Sequence, residues 1–67
     1  MEIFSERVKE LRTDEGLTQI ELAAKLNVTN SSVCDWERGR VEPSLEMLVA
    51  IAKFFEVSVD YLLGLED

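Results

Sequence analysis

Apolar residues recur along this 67-residue chain at helical rather than strand spacing. Phe4, Val8 and Leu11 mark one stripe, and Gly16 stands where such a helix would end, so the spacing predicts a helix over 2–15. Leu22, Ala23 and Leu26 mark a second over 19–26. Thr18 is its N-cap, Glu21 completes a capping box, and Asn27 suits the left-handed conformation that stops a helix. Val28 fills the turn, and Thr29 caps a third helix over 30–37. In the loop 40–43, Pro43 biases Glu42 away from helical conformation. Ser44 then caps a fourth helix over 45–56, whose stripe is Leu45, Leu48, Ile51, Ala52 and Phe55, with Met47, Val49 and Phe54 outside its centre. Ser58 caps a last short helix over 59–63; Val59, Leu62 and Leu63 face inward, and Gly64 ends it. Short connections between five helices point to one compact all-α domain over 1–67.

The second and third helices form the centre of interest. On the third, Val33, Trp36 and Glu37 share one face, while Asn30, Ser31, Cys34, Asp35 and Arg38 share the other. A free face of small polar side chains suits contact with a partner. Two short helices joined by a tight turn in this way match a helix-turn-helix, whose second helix enters the DNA major groove. Trp36 admits stacking on bases or packing at the edge of the core, and its place beside Val33 favours packing. Glu37 facing DNA would repel phosphate; helical phase puts it on the inner face instead. Arg12 follows Val8 by four residues, so its stem borders the first apolar stripe. It is either a surface arginine with a packed stem or one partner of an ion pair.

Charge complicates a nucleic-acid reading. The chain carries −7 overall, the wrong sign for a polyanion. The excess is uneven: residues 1–40 hold six basic and eight acidic residues, net −2, and residues 41–67 hold one basic and six acidic, net −5. Within 16–40, Lys25, Arg38 and Arg40 balance Glu21, Asp35 and Glu37. The acid therefore lies mostly away from the third helix. The single cysteine rules out an intrachain disulfide and suits a reducing cytoplasm, and no signal-peptide pattern or membrane-spanning apolar run is present. Histidine is absent, which removes the commonest metal ligand and general base; no catalytic set, metal or cofactor is expected. Cys34 has no histidine to activate it and stands beside Asp35, so it is a small groove-fitting residue or a redox-sensitive thiol.

The stretches LTQIELAAKLNV, WERGR and PSLEMLVAIAKFFEVSVDYLLG, in this order and spacing, resemble the helix-turn-helix domain of Cro and phage-repressor (xenobiotic-response-element) regulators. The resemblance covers nearly the whole chain. It implies a lambda-repressor-like fold, a transcriptional regulator of bacterial or phage origin and an Arg12–Glu37 ion pair joining the first and third helices. It also implies that Gln19 contacts the DNA backbone and supports the reading helix. A phosphate near Gln19 also suits the free N–H groups and dipole at the start of the second helix. Thr29, Arg38, the Gly39 amide and Arg40 complete the phosphate-contacting set, and base reading falls to Asn30, Ser31, Ser32 and Asp35. Asn30 can take the paired adenine contacts that glutamine makes in related repressors. Asp35 departs from the family's neutral or basic residue; it accepts from cytosine N4 or repels the backbone.

Two functions remain open. One is a sequence-specific DNA-binding regulator, a repressor bound as a homodimer to a two-fold operator, with Phe54, Tyr61 and Leu65 as the candidate dimer interface. The other is a protein-interaction module that kept the fold without the DNA affinity. Its acidic balance, Asp35, Glu42 and a solvent-facing Ile20 argue for it.

Overall fold

The computed structural model describes residues 2–66; Met1 and Asp67, the two ends of the expected 1–67 domain, lie outside them. Among the described residues the chain forms five α-helices and no strand. They are α1 (Glu2–Asp14), α2 (Gln19–Leu26), α3 (Asn30–Arg38), α4 (Leu45–Phe55) and α5 (Val59–Leu63).

The caps account for most of these boundaries. Thr18 accepts the Glu21 N–H while the Glu21 carboxylate accepts the Thr18 N–H, a reciprocal box that satisfies two otherwise orphaned donors. Thr29, Ser44 and Ser58 cap α3, α4 and α5 in the same way, each hydroxyl accepting an N–H three residues on. Asn27 closes α2 in the left-handed region. Three ends differ from the sequence reading. Helix α1 stops at Asp14, because the ladder ends in a turn in which the Gly16 N–H bonds the Thr13 carbonyl and the Leu17 N–H bonds the Arg12 carbonyl, with Gly16 left-handed. Helix α3 runs one residue longer, to Arg38, because Gly39 rather than Arg38 takes the left-handed cap. Helix α4 stops at Phe55, because Glu56 adopts φ 58° and caps it. A left-handed glutamate is costly, and its N–H bonded to the α4 carbonyls offsets that cost.

The core is continuous across all five helices: Phe4 and Val8 from α1, Leu22 and Ala23 from α2, Val33 and Trp36 from α3, four residues of α4, and Leu62 from α5. Helix α3 packs against both α2 and α1, and α5 packs against α1 and α4. Leu45, expected in the α4 stripe, is instead 74% exposed. It is the first residue of its helix and projects beyond the edge of the core. Met47, placed off-centre by phase, packs against the core.

Two polar residues of α1 carry tertiary roles that the pattern hid. Ser5 is buried and donates from Oγ to the Trp36 carbonyl at 2.6 Å, bringing α1 and the C-terminal end of α3 close together. Arg7 is half-buried. Its guanidinium lies 4.2 Å from the Tyr61 ring centroid and donates to the carbonyls of Tyr61 and Glu66. Tyr61 is thereby packed under Arg7 and against the core rather than standing free for a partner.

Candidate nucleic-acid interface

Helix α3 is held by one carboxylate. Glu37 accepts from Arg12 Nε at 2.6 Å, from Arg12 Nη2 at 3.0 Å and from Gln19 Nε2 at 3.1 Å, so residues of α1 and α2 converge on α3. The side chains of Arg12 and Glu37 are only 12% and 4% exposed. Arg12 Nη1 also donates to the Leu17 carbonyl at 2.8 Å, tying the link into α2 to the same centre. The hydrogen bond to Glu37 holds the Arg12 guanidinium above its ordinary pKa. This two-bonded fork fixes orientation as well as charge, which a lysine could not do. The Gln19 amide must turn its nitrogen toward a carboxylate, and one of its two N–H groups remains for another acceptor.

The outward side of α3 is set by the burial of Val33 and Trp36. Asn30, Ser31 and Arg38 are exposed, and Ser32, Cys34 and Asp35 are half-buried. The Thr29 and Ser32 hydroxyls lie 3.1 Å apart in a mutual hydrogen bond, and Thr29 Oγ1 also accepts the Ser32 N–H. One hydroxyl hydrogen of that pair is committed internally, so Thr29 and Ser32 together offer a single donor outward. The first-turn N–H groups of Asn30 and Ser31, and those of Gln19 and Ile20 on α2, have no intrahelical acceptor. Such groups suit anions.

Gly39 differs from the sequence expectation. Its N–H donates to the Trp36 carbonyl at 3.1 Å and the Arg40 N–H donates to the Asp35 carbonyl at 2.9 Å. The Gly39 amide is therefore used in ending α3 and is not offered to a phosphate. What Gly39 contributes is the left-handed turn, at φ 73°, between exposed Arg38 and Arg40.

Buried Ser5 and the shared role of Gln19 were not recovered from spacing alone. The one signal for Ser5 was a small polar residue inside the Phe4–Val8 stripe, a position that permits close helix approach. Of the candidate interface residues, Phe54 is 36% exposed and makes an edge-on contact with Phe55, while Leu65 is 72% exposed. Among the described residues no three His, Cys, Asp or Glu side chains converge to hold a metal ion, and no helix is long and apolar enough to cross a membrane.

Residues 8–62 match the family profile described as helix-turn-helix. The chain is 42% identical over 64 residues to the HTH-type transcriptional activator BcrR of Enterococcus faecalis, covering 96% of this chain and 31% of that protein. It is 39% identical over 64 residues to the HTH-type transcriptional regulator ImmR of Bacillus subtilis, covering 96% of this chain and 50% of that one. The chain thus spans half or less of these two relatives. Its structure superimposes with a TM-score of 0.83 on the P22 c2 repressor in complex with synthetic operator 9T, at 34% identity over 88% of this chain and 89% of that one. With its five helices arranged in the lambda-repressor-like fold, the chain belongs to the Cro/phage-repressor type of helix-turn-helix family.

Proposed function

We propose that this chain is the sequence-specific DNA-binding unit of a transcriptional regulator, a repressor that binds a two-fold operator as a homodimer. The observation that carries the reading is the outward face of α3. It presents the polar side chains of Asn30, Ser31 and Asp35, flanked by Arg38 and Arg40, on a helix fixed by the Arg12–Glu37–Gln19 centre. In this reading Asn30, Ser31, Ser32 and Asp35 meet base edges. Gln19, Thr29, Arg38 and Arg40 meet phosphates, and Gly39 shapes the turn between the last two. The repressor assignment is supported by the P22 c2 repressor, which matches along nearly its whole chain. Dimerisation on two half-sites follows from the small surface that one such domain can bury on DNA. Exposed Phe54 and Leu65 are apolar groups available to a dimer contact, whereas Tyr61 is engaged by Arg7 and the core.

The test is an anisotropy titration of a duplex selected from a random pool, at low and moderate salt. Saturable binding of two protomers per two-fold site is expected. Absence of binding even at low salt would favour the interaction module, for which the −7 charge and the 66% exposure of Ile20 on α2 speak.

A further inference from the structure

We infer that Asp35 makes the reading helix select cytosine at one base position of each half-site, by accepting from cytosine N4 and by repelling other sequences. The inference rests on the DNA-binding reading above and adds the chemistry of the site it recognises. Asp35 lies one turn beyond Ser31 and three residues before Arg38, on the side of α3 opposite Val33 and Trp36. Its carboxylate has no hydrogen bond or ion pair within the described residues, although Arg38 and Arg40 are near in sequence. Glu37, two residues on, holds three internal donors instead. Asp35 is thus the acid of α3 whose accepting capacity is unspent.

The neighbouring groups sharpen its part. Ser31 and Asn30 can both donate and accept, Ser32 and Thr29 share one hydroxyl–hydroxyl hydrogen bond, and Cys34 is a weak donor. An ionised Asp35 can only accept. In the major groove guanine shows two acceptors and thymine an acceptor and a methyl group, so neither can satisfy it. Adenine offers its N6 donor, but N7 beside it is an acceptor that opposes the carboxylate. Cytosine offers N4–H with no neighbouring acceptor on that edge. Any other base leaves a carboxylate desolvated between phosphates without a partner, which is how a repulsive group adds discrimination.

The test compares the wild-type chain with Asp35→Ala and Asp35→Asn on duplexes carrying each of the four bases at every operator position. A further duplex has N4-methylcytosine, which keeps its pairing but loses the groove-facing N4–H. The wild type should favour cytosine by roughly 5- to 100-fold at one symmetric position and lose that preference on N4-methylcytosine. Asp35→Ala should flatten the profile there. Asp35→Asn, which both donates and accepts, should weaken the cytosine preference and gain adenine, and both should bind unrelated duplexes more tightly. Thermal melts establish that each variant is folded; alanine is a good helix former at this half-buried position. Equal tightening on every sequence, or an unchanged base profile, would overturn the inference while leaving DNA binding intact. A wild-type chain that binds no duplex at low salt would overturn the parent reading and this inference with it.

Discussion

Replacing Glu37 with alanine is the most exacting perturbation of this fold. It removes the acceptor of three donors at 2.6, 3.0 and 3.1 Å and leaves the Arg12 guanidinium with the Leu17 carbonyl alone. Losing one partner of a buried pair costs about 3–5 kcal/mol. Because the Arg12 side chain keeps 12% exposure, water can recover part of that, and the lower end of about 3 kcal/mol is expected. At roughly 0.05–0.15 kcal/mol per residue, a domain of this size has a total stability of about 3–10 kcal/mol. The loss is therefore a large fraction of the whole. At about 4–8 °C per kcal/mol, the Tm should fall by roughly 12–24 °C. Far-UV circular dichroism and Trp36 fluorescence should report it together, since Trp36 is buried beside the pair. The deficit should persist at high salt, because ions screen a buried pair poorly. Replacing both partners by methionine should recover much of the loss, since no charge is then stranded. A Glu37→Ala Tm within about 4 °C of wild type would mean the pair contributes no more than an exposed one, and the account of α3 positioning would be wrong.

The capping box predicts a pH effect. Accepting the Thr18 backbone N–H holds the Glu21 carboxylate below its ordinary range. A carboxylate depressed in the folded state contributes stability above its unfolded pKa and loses it as pH falls through the folded value. The Glu21 midpoint by NMR should lie below the ordinary glutamate value, with the first turn of α2 fraying as it protonates; a midpoint at or above that value would refute this. Two glycine substitutions should differ. Gly39→Ala carries the left-handed backbone cost of about 1–2 kcal/mol, with only an ordinary 3.5 Å approach to Ser5 Oγ. Gly64→Ala adds a Cβ 2.9 Å from two Ile3 side-chain carbons and should lower the Tm further; equal losses would show that Ile3 yields freely. If Arg38 and Arg40 are the main phosphate cations, the slope of log K against log salt should be shallow, about −2 to −5 for a dimer. A slope near −10 would implicate Lys9 or Lys25, since Arg7 is occupied by Tyr61 and Glu66.

What the sequence determined by itself is local. Thr18 with Glu21, Asn27, Thr29, Ser44 and Ser58 were legible because a cap joins a side chain to a backbone group three or four residues away. The stripes of α1, α2 and α3 were legible because burial repeats with the helical period. The outward place of Asn30, Ser31 and Arg38 follows from the same phase. The Arg12–Glu37 pair came through family resemblance, and phase alone left Arg12 as a surface alternative. Tertiary structure decided what stands opposite each face. Phase gives a side chain its direction, but whether it meets water, a carbonyl or a ring depends on segments distant along the chain. Ser5 finds the Trp36 carbonyl 31 residues away and Arg7 finds the Tyr61 carbonyl 54 away. Leu45 obeys the stripe and still faces solvent, at the first position of α4. Glu56 takes a left-handed cap that composition disfavours, because closing α4 there turns the chain back onto α1 and α4 through α5. The Gly39 amide, free on paper, is consumed by the end of α3. In each case the local preference was modest, and the packing of distant helices outweighed it.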